Sequence, residues 1–463
     1  MKKLLFEDKS FYKKLLTIAF PIAMQNLISS SLNMVDNLMI GSMGGSPLAA
    51  VGFANQLYFL FNLFVFGASS GCAIFIAQFW GKKDIKNIRK TLGMMISLGV
   101  IVSFLFTACA MLFPEFVMER FSRDPEVINY GVQYLRIIGL SYTVTSVSFS
   151  FGFSCRSIGE AKVPMYVSAI ALGINTILNY ALIFGNFGAP AMGVQGAAIA
   201  TVIARCVELV LMLVFVYGRR NALAGNFKEL FTFDKTFFKK IMKTASPVIV
   251  NEVFWSLGIT LYMVAYGKVG GTPQECTQAA AAVQISNTIQ NMFTVVNFGL
   301  GNACAVMIGN KLGSNKKAEA DRDAQRFAII GPLCGLIVGI ILIAFAPLIL
   351  SFTSLEPLAI ENARRILIIM GVLMPIKTFN ILMIVGILRS GGDTYYGLFM
   401  ELGSVWGVGV PMAFLGALTF GLPIYLVFAL VNIEEIFKFI VGVPRLLSKK
   451  WIRNLVDDIA IEA

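Results

Sequence analysis

The chain alternates long apolar stretches with short polar segments along its whole length. Each stretch has roughly twenty residues or more, which as an α-helix is long enough to cross a hydrocarbon layer of about 30 Å. Twelve stretches are predicted, near residues 15–41, 51–79, 92–115, 129–153, 163–185, 193–217, 245–267, 278–308, 327–352, 366–388, 395–418 and 422–443. This pattern predicts an all-α, polytopic membrane protein with twelve transmembrane helices.

A motif near the end of the second stretch recurs near the end of the eighth. Residues 66–81 and 298–313 both begin with Phe-Gly, carry one cysteine at the same position and end in glycine. Pro21 and Pro247 keep nearly the same spacing. The repeat predicts two pseudo-symmetric six-helix lobes, and transporters built from internal repeats bind their substrates at the interface between the repeats.

The longest polar interruption lies between the two halves. It interleaves lysines with phenylalanines, as in Phe227-Lys228 and Phe238-Lys239, which is typical of an amphipathic segment at a membrane surface. An ordinary solvated loop with a few buried rings fits the same residues. The predicted division is 1–218 as the N-terminal lobe, 219–242 as a cytoplasmic amphipathic linker and 243–463 as the C-terminal lobe.

Lysine and arginine are distributed unevenly between the two predicted sides of the membrane. Placing the N-terminus inside assigns 29 of them to cytoplasmic segments and 5 to outer loops. Because basic residues favour the cytoplasmic side, we expect both termini to be cytoplasmic, in the bacterial inner membrane. The same bias accounts for the net charge of +12, so nucleic acid is not an expected partner. We expect a monomer in the lipid bilayer.

The sequence lacks the residues that several kinds of chemistry require. Histidine is absent, and the seven cysteines include no CxxC pair. A histidine proton shuttle is therefore excluded, and neither a metal site nor a disulfide framework is expected. No phosphate-binding GxxxxGK[ST] loop is present, so this chain alone is not expected to use ATP. The sequence indicates neither an enzyme nor a bound organic or metal cofactor.

Four oxygen-bearing side chains fall at similar depth within the first half. Counted at 1.5 Å per residue, Asp36 lies about 7 Å from the outer end of its span, and Asn179, Thr201 and Asn175 lie about 9, 12 and 15 Å from theirs. A carboxylate with amide and hydroxyl oxygens suits a dehydrated Na⁺ or a proton held on the acid. Hydrogen bonding between helices is the alternative role for the two asparagines.

With these features the chain resembles the multidrug and toxin extrusion (MATE) family over essentially its whole length. The resemblance depends on the order and spacing of several motifs: Pro21…Asp36…Gly41, Ala49-Ala50 with Gln56, 185–190 leading to 196–201, Asn251-Glu252, and the 389–394 loop. It implies two six-helix lobes that open alternately outward and inward. It also implies export of organic cations against inward flow of H⁺ or Na⁺.

The resemblance implies a cation-coupling role for Asp36, Asn175, Asn179 and Thr201, and for Glu252 in the seventh span. This chain lacks the second N-lobe acid and the span-10 acid that some relatives carry; Lys377 lies near the latter position. A structural ion pair is the alternative for Glu252, with Lys377 as one possible partner. Arg205 and Glu208, three residues apart, are expected to neutralise each other. Glu401, Glu434, Glu435 and Lys438 receive no role.

Trp255, Tyr262 and Gln284 are the substrate-binding candidates. The two aromatic residues follow Glu252 near its helical face and could hold a cation through their rings, whereas core packing or interhelical hydrogen bonding is the alternative. The predicted function is a secondary antiporter that exports amphipathic, cationic drugs or toxins in exchange for H⁺ or Na⁺ by alternating access. A lipid-linked oligosaccharide flippase of the same superfamily, and more distantly a membrane-embedded enzyme, are the alternatives.

Overall fold

The computed structural model describes residues 8–270, 272–351, 353, 356–457 and 459, and all regular structure in them is helical. The first half contains α1 (Lys9–Gly41), α2 (Gly45–Lys82), α3 (Ile85–Leu112), α4 (Pro114–Glu119), α5 (Pro125–Ile138), α6 (Ser141–Ser157), α7 (Lys162–Phe184), α8 (Gly193–Gly218) and α9 (Phe227–Phe231). The second half contains α10 (Lys235–Tyr266), α11 (Pro273–Gly313), α12 (Lys317–Leu350), α13 (Pro357–Ile381), α14 (Thr394–Ser404), α15 (Val410–Phe414), α16 (Ile424–Val431) and α17 (Ile433–Leu447). Wider π-helical turns at Leu382–Leu388, Val405–Gly409 and Leu415–Thr419 extend α13 and flank α15.

Ten continuous helical segments in the described residues are long and apolar enough to cross a membrane, and the bent pair α5–α6 makes an eleventh. The last predicted span corresponds to α16 and α17, which meet at Asn432. The predicted span, 422–443, carries three charged side chains, Glu434, Glu435 and Lys438. The prediction of an all-α polytopic membrane protein is confirmed.

The fourth predicted span is two helices with a bend of 51° between them, at Gly139 and Leu140. A bend frees backbone carbonyls that a straight helix would pair, and in an apolar environment these groups need other donors. The Thr107 hydroxyl donates to the Gly139 carbonyl at 2.9 Å, and the Ser141 hydroxyl donates to the Ile138 carbonyl at 2.7 Å. Side-chain hydroxyls thus stabilise the bend.

The described chain forms two compact units. The N-unit is Met24–Ile249; the C-unit combines the chain up to Ala23 with the chain from Val250 onward. Both boundaries fall inside helices, α1 and α10, two residues after a proline that the repeat pairs, Pro21 and Pro247. Each half of the repeat therefore gives the start of its first helix to the unit formed by the other half.

Close helix approach holds each exchanged segment in its unit. In the C-unit, a Cβ at Gly299 of α11 would lie 2.8 Å from the carbonyl oxygen of Ala19 in α1. In the N-unit, a Cβ at Gly71 of α2 would lie 2.7 Å from the Ala245 side chain in α10. Glycine is thus needed where helix backbones touch, as in other membrane proteins.

Residues 219–242 belong to the N-unit and pack on its helices α2 and α3. Glu229 of the short helix α9 forms a 2.9 Å ion pair with Arg89, and Leu230 is buried. The Phe237 ring stacks on Phe79 with centroids 6.4 Å apart. Phe227 is 77% exposed. This segment is therefore an ordered, folded connection with one prominent aromatic surface residue.

Candidate functional site

Asp36 lies at one end of a side-chain network within the N-unit that joins α1, α7 and α8. The Asn179 amide donates to Asp36 Oδ1 at 2.5 Å and to Asn175 Oδ1 at 3.1 Å. The Asn175 amide in turn donates to the Thr201 hydroxyl at 3.4 Å. The structure therefore brings together all four N-lobe residues predicted from the sequence. The two asparagines share a helix face because they are four residues apart on α7.

The network contains an acceptor that lacks a donor. Asn179 and Asn175 are fully buried, and Asn179 Oδ1 has no hydrogen-bond partner among the described residues. The partners of Asn179 Nδ2 are both oxygens that act as acceptors here, which fixes the orientation of the amide. Buried polar atoms are nearly always paired, so an unpaired amide oxygen next to a carboxylate suits a cation or a protonated acid.

A cavity of about 520 Å³ opens beside this network within the N-unit. Its polar wall includes Asp36, Asn55, Gln56, Asn62, Thr201 and Arg205, and its aromatic wall includes Tyr58, Phe59 and Tyr134. Asp36 and Thr201 thus belong to both the network and the cavity. A change of charge at Asp36 would alter the wall of the cavity directly.

Arg205 joins the cavity to a second polar chain. It forms the predicted ion pair with Glu208 at 2.8 Å, and Glu208 accepts a hydrogen bond from Ser168 at 3.1 Å. Ser168 also accepts from the amide of Gln25, whose oxygen accepts from Arg156 at 2.8 Å. Both ends of this chain are arginines, with Glu208 as the single acid between them.

In the C-unit, Glu252 of α10 is the residue that the repeat pairs with Asn26 of α1. It forms a 2.5 Å ion pair with Arg389, and both side chains are buried. In the repeat, Arg389 corresponds to Arg156, and Asn251-Glu252 corresponds to Gln25-Asn26. In both units the paired arginine contacts the same part of the first helix. Arg156 contacts the Gln25 amide in the N-unit, and Arg389 contacts the Glu252 carboxylate in the C-unit.

The three predicted substrate residues have different environments. Trp255 is half-buried and packs against the apolar core of the C-unit. Tyr262 is 4% exposed, and its hydroxyl donates to Glu434. Gln284 has an exposed side chain. The structure does not bring these three side chains together around one described cavity, and their role in substrate binding stays a prediction.

Known proteins match the chain over nearly its whole length. The MatE family model matches residues 21–181 and again residues 247–415, once in each half. The probable multidrug resistance protein NorM of Thermotoga maritima is 25% identical over 96% of this chain and 94% of its own length. The probable multidrug resistance protein YoeA of Bacillus subtilis is 24% identical over 88% of this chain and 87% of its own.

Solved structures have the same fold. A MOP superfamily transporter from Pyrococcus furiosus superimposes with a TM-score of 0.85 at 18% identity, covering 97% of this chain and 98% of the other. An outward-facing multidrug resistance MATE transporter gives the same TM-score, identity and coverage. At these identities the structures establish the fold alone.

The double match to its family model shows that the chain belongs to the MatE family. The resemblance stated from the sequence is confirmed. The protein is a multi-pass membrane transporter of the multidrug efflux class and not an enzyme.

Sequence reasoning missed the partners that come from distant parts of the chain. Arg389, rather than Lys377, pairs with Glu252. The repeat held a usable signal, since Arg156-Ser157 and Arg389-Ser390 are paired in it. The cluster of Glu401, Glu434, Glu435 and Lys438 received no role, because only its contacts within α17 can be read from sequence spacing.

Proposed function

We propose that this protein is a secondary active antiporter that exports amphipathic, cationic compounds from a bacterial cytoplasm. Inward movement of H⁺ or Na⁺ drives the export. The observation that carries this proposal is that Asp36 and Thr201 belong to both the amide network and the cavity wall. A cation at Asp36 neutralises the carboxylate that would otherwise attract a cationic substrate.

The coupling follows from this shared carboxylate. With Asp36 ionised, the cavity offers one carboxylate, several amides and three aromatic rings, which suit an amphipathic cation. The positive charge of Arg205 in the same wall is paired with Glu208. With Asp36 protonated or ligated to Na⁺, the attraction is lost, and Asn179 Oδ1 gains a partner. Cation and substrate then favour different states of the same unit, which is what exchange requires.

The proposal places the protein in the bacterial inner membrane as a monomer with both termini in the cytoplasm. The orientation rests on the distribution of Lys and Arg, 29 inside against 5 outside. In this orientation the predicted depth of Asp36 is nearer the outer face. Cation entry at Asp36 would therefore occur from outside, in keeping with release of substrate to that side.

The test is transport by the purified protein in proteoliposomes, with Na⁺ and pH gradients imposed separately. We expect flux of an ethidium-like cationic dye that depends on one of these gradients and runs opposite to it. Absence of gradient-driven dye flux, together with movement of a fluorescent lipid-linked oligosaccharide between leaflets, would instead identify a flippase. Dye flux that depends on neither gradient would contradict coupled exchange.

A further inference from the structure

Four charged side chains meet in the interior of the C-unit. Lys438 Nζ lies 3.3 Å from a Glu434 oxygen and 3.6 Å from an oxygen of Glu401 and of Glu435. Glu401 is on α14, and the other three are on α17. Lys438, Glu434 and Glu435 are 3%, 6% and 7% exposed, and the Glu401 side chain is 13% exposed. One ammonium group therefore faces two buried carboxyl groups and a third, that of Glu401, which is partly buried.

The charged groups around the cluster do not balance if every acid is ionised. Lys377 on α13 interacts electrostatically with Glu435, which brings the nearby positive charges to two. Glu252 also acts on the cluster but has Arg389 as its own ion-pair partner. Tyr262 and Tyr266 of α10, which face Glu434, are neutral phenols. Three carboxylates against two ammonium groups leave one excess negative charge, and an uncompensated buried charge is strongly destabilising.

Two buried amides show where a missing partner would sit. Asn251 donates to Glu401 at 3.3 Å, and Asn380 donates to Glu435 at 2.7 Å. The oxygen of each amide has no hydrogen-bond partner among the described residues, although these side chains are only 4% and 2% exposed. Each of these amides therefore reaches a carboxyl of the cluster and keeps a buried acceptor unsatisfied. A hydrogen on a neighbouring carboxyl group supplies the kind of donor that such an acceptor needs.

The hydrogen bonds of the three acids differ in strength. Each uses one oxygen for Lys438 and the other for a neutral donor: Tyr262 for Glu434, Asn380 for Glu435 and Asn251 for Glu401. The contact to Glu401 is the longest of the three. The neutral hydrogen bond to Glu401 is therefore the weakest of the three.

Lys438 also determines which cation the cluster accepts. Its ammonium group already occupies the position between the three carboxyl groups. A metal ion bound by the same oxygens would lie within a few ångströms of this positive charge and would be repelled. A hydrogen ion bonds to a single oxygen atom and needs no such space.

We propose that the cluster formed by Glu401, Glu434, Glu435 and Lys438 binds one proton, shared among its three acids, at neutral pH. This site is separate from Asp36, which lies in the other unit. The proposal stands whether or not the antiport mechanism above is right. It assigns the C-unit a proton-binding site distinct from the Glu252–Arg389 pair.

Infrared spectroscopy of the purified protein tests this charge count, because a protonated carboxyl group has a C=O band that an ionised one lacks. Asp36→Asn serves as the parent chain, so that Asp36 adds nothing to the band. At neutral pH we expect one protonated carboxyl per molecule. Each of Glu401→Gln, Glu434→Gln and Glu435→Gln should remove the band, since any of them restores the charge balance. Lys438→Met should double it.

The matched control is Glu208→Gln, which changes a buried glutamate that is ion-paired in the N-unit. This control should leave the band unchanged. Absence of the band in the parent chain, or its survival in all three glutamine variants, would overturn the proposal. Loss of the band on adding Na⁺ at constant pH would also overturn it, because it would show that the site takes a metal cation. Size-exclusion profiles establish that each variant is folded.

Discussion

At the scale of single residues, Asn179 connects the N-unit network, because its amide donates hydrogen bonds to both Asp36 and Asn175. We expect Asn179→Ala to weaken cation-dependent transport by about tenfold to a hundredfold, since it removes the Oδ1 acceptor that would face the bound cation. A hydrogen bond to a charged group contributes about 1.5–3 kcal/mol. Transport in proteoliposomes as a function of cation concentration measures this loss.

Asn186→Ala is the control, because Asn186 lies in the turn after α7 and its amide donates to the backbone carbonyl of Tyr180 near the end of α7. It should transport like the parent chain. Equal effects of the two substitutions would mean that Asn179 acts through general packing rather than through Asp36.

The Glu252–Arg389 pair leads to a prediction about stability. Because both side chains are buried, Glu252→Gln should leave the arginine charge uncompensated and lower the free energy of unfolding by about 3–5 kcal/mol. Glu252→Gln with Arg389→Gln should recover much of that loss. Thermal unfolding in detergent provides the comparison, and a double variant less stable than the single one would exclude a simple ion pair.

At the scale of elements, the start of α1 is attached to α12 of the C-unit. Asp8 accepts a 2.6 Å hydrogen bond from Ser10 and forms a 2.9 Å ion pair with Arg326. The Ser10 hydroxyl first and the Arg326 guanidinium next hold the pKa of Asp8 well below its usual range. The ionised form therefore favours this attachment.

A pH dependence follows with a definite sign. A carboxyl whose pKa is depressed by folding stabilises the protein above its unfolded pKa, about 3.9, and loses that effect as the pH falls through its folded value. Asp8→Asn should therefore lower the midpoint of thermal unfolding at neutral pH. The difference from the parent chain should shrink below pH of about 4. A difference that grows in acid would contradict the ion pair.

The elements themselves were largely predictable from sequence. Apolar stretches of about twenty residues predicted most of the helices, because backbone polar groups in hydrocarbon must hydrogen-bond within the segment itself. The bend at Gly139 was not predictable, since it depends on Thr107 of another helix. The exchange of the starts of α1 and α10 between units was not predictable either, because hydrophobic length carries no information on which neighbours a helix has.

The site residues, too, were only partly predictable from the sequence. Asp36, Asn175, Asn179 and Thr201 could be grouped by depth alone, since a polar side chain at a given depth of a membrane protein needs a polar neighbour at that depth. Glu401 could not be connected with Lys438, because the two residues lie on different helices and depth does not say which helices touch. The Asn179 and Asn380 oxygens without donors are visible only in three dimensions.

At the scale of the whole molecule, the orientation in the membrane can be tested with two exposed phenylalanines. Phe227 in the segment between the halves is 77% exposed, and Phe187 after α7 is 80% exposed. In a chain with its seven cysteines replaced, we expect Phe187→Cys to react with a membrane-impermeant maleimide in intact cells. Phe227→Cys should react only after lysis. The reverse pattern would invert the orientation proposed from the basic residues.

The most direct measurement of the central claim is gradient-driven export by Asp36→Asn. The substitution keeps the size of the side chain and removes its charge, so the protein should fold, reach the membrane and lose coupled export. Asp124→Asn is the control, because Asp124 is an exposed helix cap that does not line the cavity. In proteoliposomes with an imposed Na⁺ or pH gradient, we expect the control to export dye like the parent chain and Asp36→Asn to fail. Export by Asp36→Asn at the parental rate would show that Asp36 is structural and would contradict the mechanism.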